Sequence, residues 1–185
     1  MTTRTFATLT GLEIISSDAY KIGDLVDIRY DTKWKVIGLT TKTDKNLAKK
    51  IDSIGSGRSL IRIEPKKFII NDVILMAEST SEIGPMITVD SENAESLSHL
   101  TGKKVVSEEG IILGTVYDVN VDTDLWTVPT ISVKLEKIAF EPLGLKKGLF
   151  SKTVISIRTE YIESTGELIS LNQKIEDMRE EIVVE

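Results

Sequence analysis

The sequence predicts a mainly β protein made of two tandem copies of one small strand-rich domain, finished by a short C-terminal helix, and three observations carry the prediction. Leu9-Thr10-Gly11 returns as Leu100-Thr101-Gly102, and from Leu9 to Thr32 the two segments align without a gap at a spacing of 91 residues. Eight of those 24 pairs are identical, among them Gly23/Gly114, Asp27/Asp118 and Asp31/Asp122, and a repeat of this kind sets the architecture before any single element is assigned. Polarity alternates from Asp24 to Tyr30 and again from Leu113 to Val121, which is the period of a half-buried strand. Near the end, Leu171, Ile175, Met178 and Ile182 fall at spacings of four, three and four, one apolar stripe of a helix.

Taken in order, Gly11 and Gly102 each come just after an apolar residue, Leu9 or Leu100 two positions back, and precede a β-branched pair, Ile14-Ile15 or Val105-Val106, as a turn leading into a strand does. Asp31-Thr32-Lys33 and Asp122-Thr123-Asp124 read as hairpin turns, because short Asp side chains satisfy turn backbone groups. Further strands are expected over Val36 to Lys42 and Ser59 to Ile63, and over Thr130 to Leu135 and Thr153 to Ile157. With a one-residue insertion Trp34 meets Trp126, and Arg62-Ile63-Glu64 to Leu75 echoes Ser156-Ile157-Arg158 to Ile169. Residues 81–98 hold Gly84, Pro85, Ser91 and Asn93 with net acidic charge and read as a linker. The predicted division is therefore residues 1–80, a linker over 81–98, and residues 99–185 with the C-terminal tail.

Composition narrows the chemistry. With 41% hydrophobic and 28% charged residues in a chain of 185, the sequence suits a folded globular protein. No apolar run reaches the roughly 20 residues that cross a bilayer, and the Thr-rich start lacks a signal pattern, so a cytoplasmic location is expected. Cysteine is absent and His99 is the single histidine, which removes thiolate chemistry and leaves one possible donor for histidine-based catalysis or metal binding. Catalytic, metal and cofactor sites are all expected to be absent. Residues 1–80 carry 13 Lys+Arg and 10 Asp+Glu, a net +3, whereas residues 81–185 carry 10 and 19, a net −9. That split bears on partners and steering.

The Leu-Thr-Gly motif, the apolar pair followed by Ser, and the segments Ile22 to Ile28 and Leu113 to Val119 resemble the PRC-barrel family. Residues Ile157 to Ile169 carry its later pattern, Ile-x-x-x-Tyr-Ile-x-x-x-Gly-x-Leu-Ile, whereas the first copy departs from it at Pro65, Phe68 and Asn71-Asp72. The resemblance covers both repeats and implies a small antiparallel β-barrel for each. It implies no enzymatic role and no cofactor. It points to a protein-binding scaffold or adaptor like the archaeal members that act in cell division beside FtsZ and SepF. The expected partners are SepF or another PRC-barrel protein, in a homo- or hetero-oligomer that meets a membrane only indirectly and sits at the division site. The alternative is an RNA- or ribosome-associated factor similar to RimM, with no specific nucleic acid expected under the first reading.

Six residues stand out as candidate protein contacts. Lys49, Lys50, Lys66 and Lys67 belong to a basic run that also includes Lys42, Lys45, Arg58 and Arg62, with only Asp44, Asp52 and Glu64 against it. Such a run is usually a solvated face, but it suits an acidic partner, and Phe68 beside it is the one residue that could stack on a base. Leu149 and Phe150 end the Gly-flanked loop Gly144 to Phe150, where an apolar tip next to Lys146 and Lys147 is a second contact candidate. Asp27/Asp118 and Asp31/Asp122 are assigned to turn formation rather than to catalysis or metal binding, since nothing in the sequence converges on them. Gly55-Ser56-Gly57-Arg58 lacks the spacing of a phosphate loop and is read as a plain loop.

Overall fold

A computed structural model describes residues 2–48, 57–64, 66–88, 94–145, 153–180 and 183–184. The chain divides into two compact units, Met1–Ser98 with Val121–Thr127, and His99–Asn120 with Val128–Glu185. In chain order the strands are β1 (Thr3–Thr5), β2 (Glu13–Ile15), β3 (Lys21–Tyr30), β4 (Val36–Thr43), β5 (Arg58–Arg62), β6 (Phe68–Ile70), β7 (Ile74–Met76) and β8 (Ile87–Thr88). They continue as β9 (Glu95–Ser96), β10 (Lys104–Val106), β11 (Ile112–Asp122), β12 (Thr127–Leu135), β13 (Val154–Arg158), β14 (Ile162–Thr165), β15 (Ile169–Leu171) and β16 (Val183–Val184). The long strands fall where polarity alternates, and the mainly β class expected from the sequence is what forms.

Two sheets result, and their strand orders are the same: β6-β7-β2-β3-β4-β5-β8 in the first copy, β14-β15-β10-β11-β12-β13-β16 in the second. Register repeats as well as order. Ile14 lies opposite Gly23 and beside Ile74 in a parallel pair; Val105 lies opposite Gly114 and beside Ile169. A bulge follows each of these residues, between Ile14 and Ile15 and between Val105 and Val106. The glycines are needed there because a Cβ on Gly23 would overlap the Lys42 carbonyl and Thr41 Oγ1, and one on Gly114 would overlap the Lys134 carbonyl.

Each copy buries the same set of positions. Ile14, Ile22, Leu25, Ile28, Leu39, Ile61 and Ile74 are closed to solvent in the first, and Val105, Leu113, Val116, Val119, Ile131, Ile157 and Ile169 in the second. In β3 a second bulge at Val26 sets Leu25 opposite Thr41 and Asp27 opposite Thr40, so Leu25 and Ile28 both face inward although three residues apart. Bulges re-aim side chains in this way.

Several expectations are corrected. The supposed linker, residues 81–98, contributes two strands to the first copy's sheet: β8 pairs with β5 and β9 pairs with β3. Unit one also takes in Val121–Thr127, which falls inside the range 99–185 expected for the second domain. The C-terminal helix is replaced by the end of β15, a 3-10 turn at Asp177–Glu180 and β16, which pairs with β13. Leu171, Ile175 and Met178 are buried as the stripe required, but Leu171 is already committed to the sheet opposite Ile162, and Ile182 lies outside the described residues. Closure into barrels is not reached among the described residues: β6 and β8 end one row, β14 and β16 the other. End strands of two to four residues leave little ladder with which to close a sheet.

The second part of the repeat is shifted from its predicted alignment. Arg62 pairs with Gly38 and Arg158 with Thr130, and the equivalence of Lys42 with Lys134 set by the glycine contacts makes Gly38 the counterpart of Thr130. Arg62 therefore corresponds to Arg158, not Ser156, and Ile74 rather than Leu75 corresponds to Ile169.

Candidate functional site

Of the six candidate contact residues, Lys49, Lys50, Leu149 and Phe150 lie outside the described residues. Lys66 and Lys67 precede β6 and differ sharply. Lys67 Nζ lies 2.7 Å from both Glu64 Oε2 and Glu78 Oε1, hydrogen bonds that raise its pKa to about 12; reciprocally, Lys67 lowers the pKa of Glu64. Its charge is matched from within unit one. Lys66 is exposed, with a left-handed backbone at φ 71°, a conformation uncommon outside Gly, Asn and Asp. Further along the basic run, Lys42 and Arg58 sit directly opposite each other on β4 and β5, both exposed. Phe68 points the other way: it is buried, and its ring meets Trp126 edge to face at 5.7 Å within unit one.

Sequence reasoning missed an exposed apolar row on the first copy's sheet. Ile69 on β6 lies opposite Leu75 on β7, and Leu75 lies beside Ile15 on β2. Ile69 is 60% and Leu75 42% exposed. The counterparts in the second copy are Ser164 and Ser170, joined through their hydroxyls at 2.7 Å, followed by Val106. The sequence signal was present in Phe68-Ile69-Ile70 and Ile74-Leu75-Met76, short runs that are apolar throughout where one-sided burial calls for alternation.

The repeated aspartates do structural work, but not all of it in turns. Asp31 Oδ1 accepts from the backbone N–H of Lys33 at 2.9 Å and of Lys35 at 3.0 Å, and Asp122 Oδ1 accepts from those of Asp124 at 2.9 Å and Leu125 at 3.0 Å. Each turn ends in a tryptophan with a left-handed backbone, Trp34 at φ 61° and Trp126 at φ 53°. Asp27 and Asp118 instead sit inside strands, each accepting at 2.8 Å from the N–H of the next residue. Asp27 also anchors the segment that brings in β9. Its Oδ2 accepts from Ser96 Oγ in a short hydrogen bond and from Ser98 Oγ at 2.9 Å, while Oδ1 accepts from Ser98 N–H at 3.2 Å. The acceptor capacity of this buried carboxylate is thus filled by donors from its own unit.

Trp126 is nearly closed to solvent at 1%, whereas Trp34 is part-exposed and stacks on Tyr30 with centroids 4.9 Å apart. Among the described residues no three His, Cys, Asp or Glu side chains gather as a metal site would need, and no helix is long and apolar enough to cross a membrane. What the arrangement offers is surface: an apolar row bordered by an exposed lysine on one copy, and a hydroxyl-bearing version of the same row on the other. No family model and no curated protein matches the chain.

Proposed function

We propose that the chain is a non-catalytic protein-binding scaffold or adaptor, with each sheet the strand set of a PRC-type barrel. One observation supports this most: two sheets of identical strand order present chemically different outward rows, Ile69-Leu75-Ile15 on one and Ser164-Ser170-Val106 on the other. A duplicated frame with differentiated faces suits the engagement of more than one partner, since specificity lies in the site and not in the fold. The Leu-Thr-Gly motifs and the Ile157 to Ile169 pattern support placing that role beside FtsZ and SepF in archaeal cell division, with contact to the membrane only through such a partner.

Cross-linking in native cells followed by mass spectrometry tests the reading. FtsZ-ring components are expected on the first copy's outward row. Their absence, together with normal division after deletion of the gene, would overturn it. The RNA- or ribosome-associated alternative is weaker, because Phe68, the stacking ring beside the basic run, is packed against Trp126, and Lys67 within the run is held between two glutamates.

A further inference from the structure

We propose that β6 is a self-association edge, through which two copies of this chain join their sheets by antiparallel pairing of β6 with β6 about Ile69. Beyond naming the chain as its own partner, the inference stands apart from the division-site reading. Ala77 N–H donates to the Lys67 carbonyl at 2.9 Å and Asn71 N–H donates to the Val73 carbonyl at 3.0 Å, while Ile69 lies between them opposite Leu75. The Lys67 carbonyl and the Asn71 N–H thus face β7 on either side of Ile69, and the alternation of an antiparallel ladder turns the backbone groups of Phe68 and Ile70 toward the open side. Arg4 marks that side. Its guanidinium donates to the Ile70 carbonyl at 3.2 Å and to the Asn71 carbonyl at 3.1 Å, and a carbonyl has a second lone pair for another donor.

Among the described residues no strand pairs with the open side of β6, and apart from the Arg4 guanidinium at its Ile70 end the strand's own residues offer no protection. Phe68-Ile69-Ile70 has no charge, no proline and no bulge, whereas its counterpart β14 has the exposed Glu163 and a register shift between Ile162 and Ser164. Charged residues and bulges are how edges are kept from pairing. Pairing about Ile69 sets Phe68 of each chain opposite Ile70 of the other, so that the outward backbone groups meet as hydrogen-bonded pairs. It also brings the two Ile69 side chains together and joins two Ile15-Leu75-Ile69 rows into one apolar strip.

The flanking charges decide for a second copy rather than an unrelated strand. Reading Lys66-Lys67-Phe68-Ile69-Ile70-Asn71-Asp72 against itself brings Lys66 of each chain toward Asp72 of the other, twice over by symmetry, and both residues are exposed. A two-fold contact is self-complementary in this way. With one short strand per chain the interface is small and the dimer is a weak, concentration-dependent one.

Sedimentation equilibrium of the full chain over a wide concentration range tests this. A monomer–dimer equilibrium is expected. Ile69→Lys, at an exposed position, should weaken it at least about tenfold, and Ile69→Thr, which keeps β propensity, should weaken it in the same direction. Lys66→Asp, which suits a left-handed backbone, should weaken it about fivefold by facing Asp72 with a like charge, and the double exchange Lys66→Asp with Asp72→Lys should restore it. A wild-type chain that stays monomeric throughout, including the case of an edge that binds only other proteins, overturns the proposal. So does a dimer indifferent to both Ile69 variants, or a double exchange that fails to recover association.

Discussion

β3 and β11 are built alike and surrounded differently. Both run past a glycine whose missing Cβ lets the neighbouring carbonyl approach, both hold an aspartate within the strand that bonds to the next N–H, and both end in an Asp-led turn closed by a left-handed tryptophan. Yet Trp34 stacks part-exposed on Tyr30, while Trp126 is buried against Phe68. Position along the hairpin fixes the backbone at both tips. What each ring meets differs: Trp34 meets Tyr30, four residues before it, whereas Trp126 meets Phe68, far away in sequence. The lesson is that duplication preserves what the ladder needs and frees what faces outward, which is also why Ile69 and Leu75 can stand where Ser164 and Ser170 do.

The sharpest test of that difference is Trp→Ala at the two tips. Trp126→Ala should cost about 3 to 5 kcal/mol, the range for truncating a fully buried large aromatic, and Trp34→Ala should cost about 1 kcal/mol, as a part-exposed stacked ring does. Chemical denaturation measures both, and equal losses would break the distinction. Iodide quenching gives an independent reading: Trp34 fluorescence should fall and Trp126 fluorescence should persist.

The similarity between the copies is tested by the glycines. Gly23→Ala and Gly114→Ala should each lower stability by about 2 to 4 kcal/mol, because the added methyl at each meets a backbone carbonyl, which cannot swing aside as a side chain can. Near-equal shifts in the melting temperature support equivalence of the two positions. A tolerated substitution at one of them would show that the strands do not approach as closely there.

Asp27→Ala should cost about 1 to 3 kcal/mol, by removing the acceptor that the Ser96 and Ser98 hydroxyls share and loosening β9 from β3. Hydrogen exchange should show loss of protection at Arg29 and Ser96, the paired residues of that ladder. Unchanged protection would mean that the ladder holds without the carboxylate.

The smallest effect concerns pH. Asp18, in the turn between β2 and β3, has its pKa lowered from 3.8 to about 2 by hydrogen bonds from Ser16 and from Thr80, whose hydroxyl donates to Oδ2 at 2.7 Å and whose N–H donates to Oδ1 at 3.0 Å. A depressed carboxyl pKa stabilises the folded state fully above pH of about 4 and loses that contribution as pH falls to about 2. Because the group is exposed, the slope is shallow. Asp18→Asn should flatten the acid limb of the stability curve over that interval and leave neutral pH nearly unchanged; an unaltered acid limb would show that these bonds do not persist in solution.

The sequence by itself determined the repeat, the long strands and the inward set. Alternating polarity, a glycine at Gly23 and Gly114, and an aspartate opening each hairpin turn are local steric and hydrogen-bonding requirements, legible within a few residues. Tertiary structure decided the rest. A strand of two residues such as β8 or β9 has no period to read, and only the ladder waiting on β5 or β3 makes it a strand. The Leu171, Ile175 and Met178 stripe encoded burial truly but not helix, because Leu171 was already bound into the sheet. The exposure of Ile69, the burial of Trp126 and the move of Val121–Thr127 into unit one likewise depend on partners distant in sequence. Backbone pairing and ring packing between such segments are settled by register, which composition and spacing along the chain do not carry.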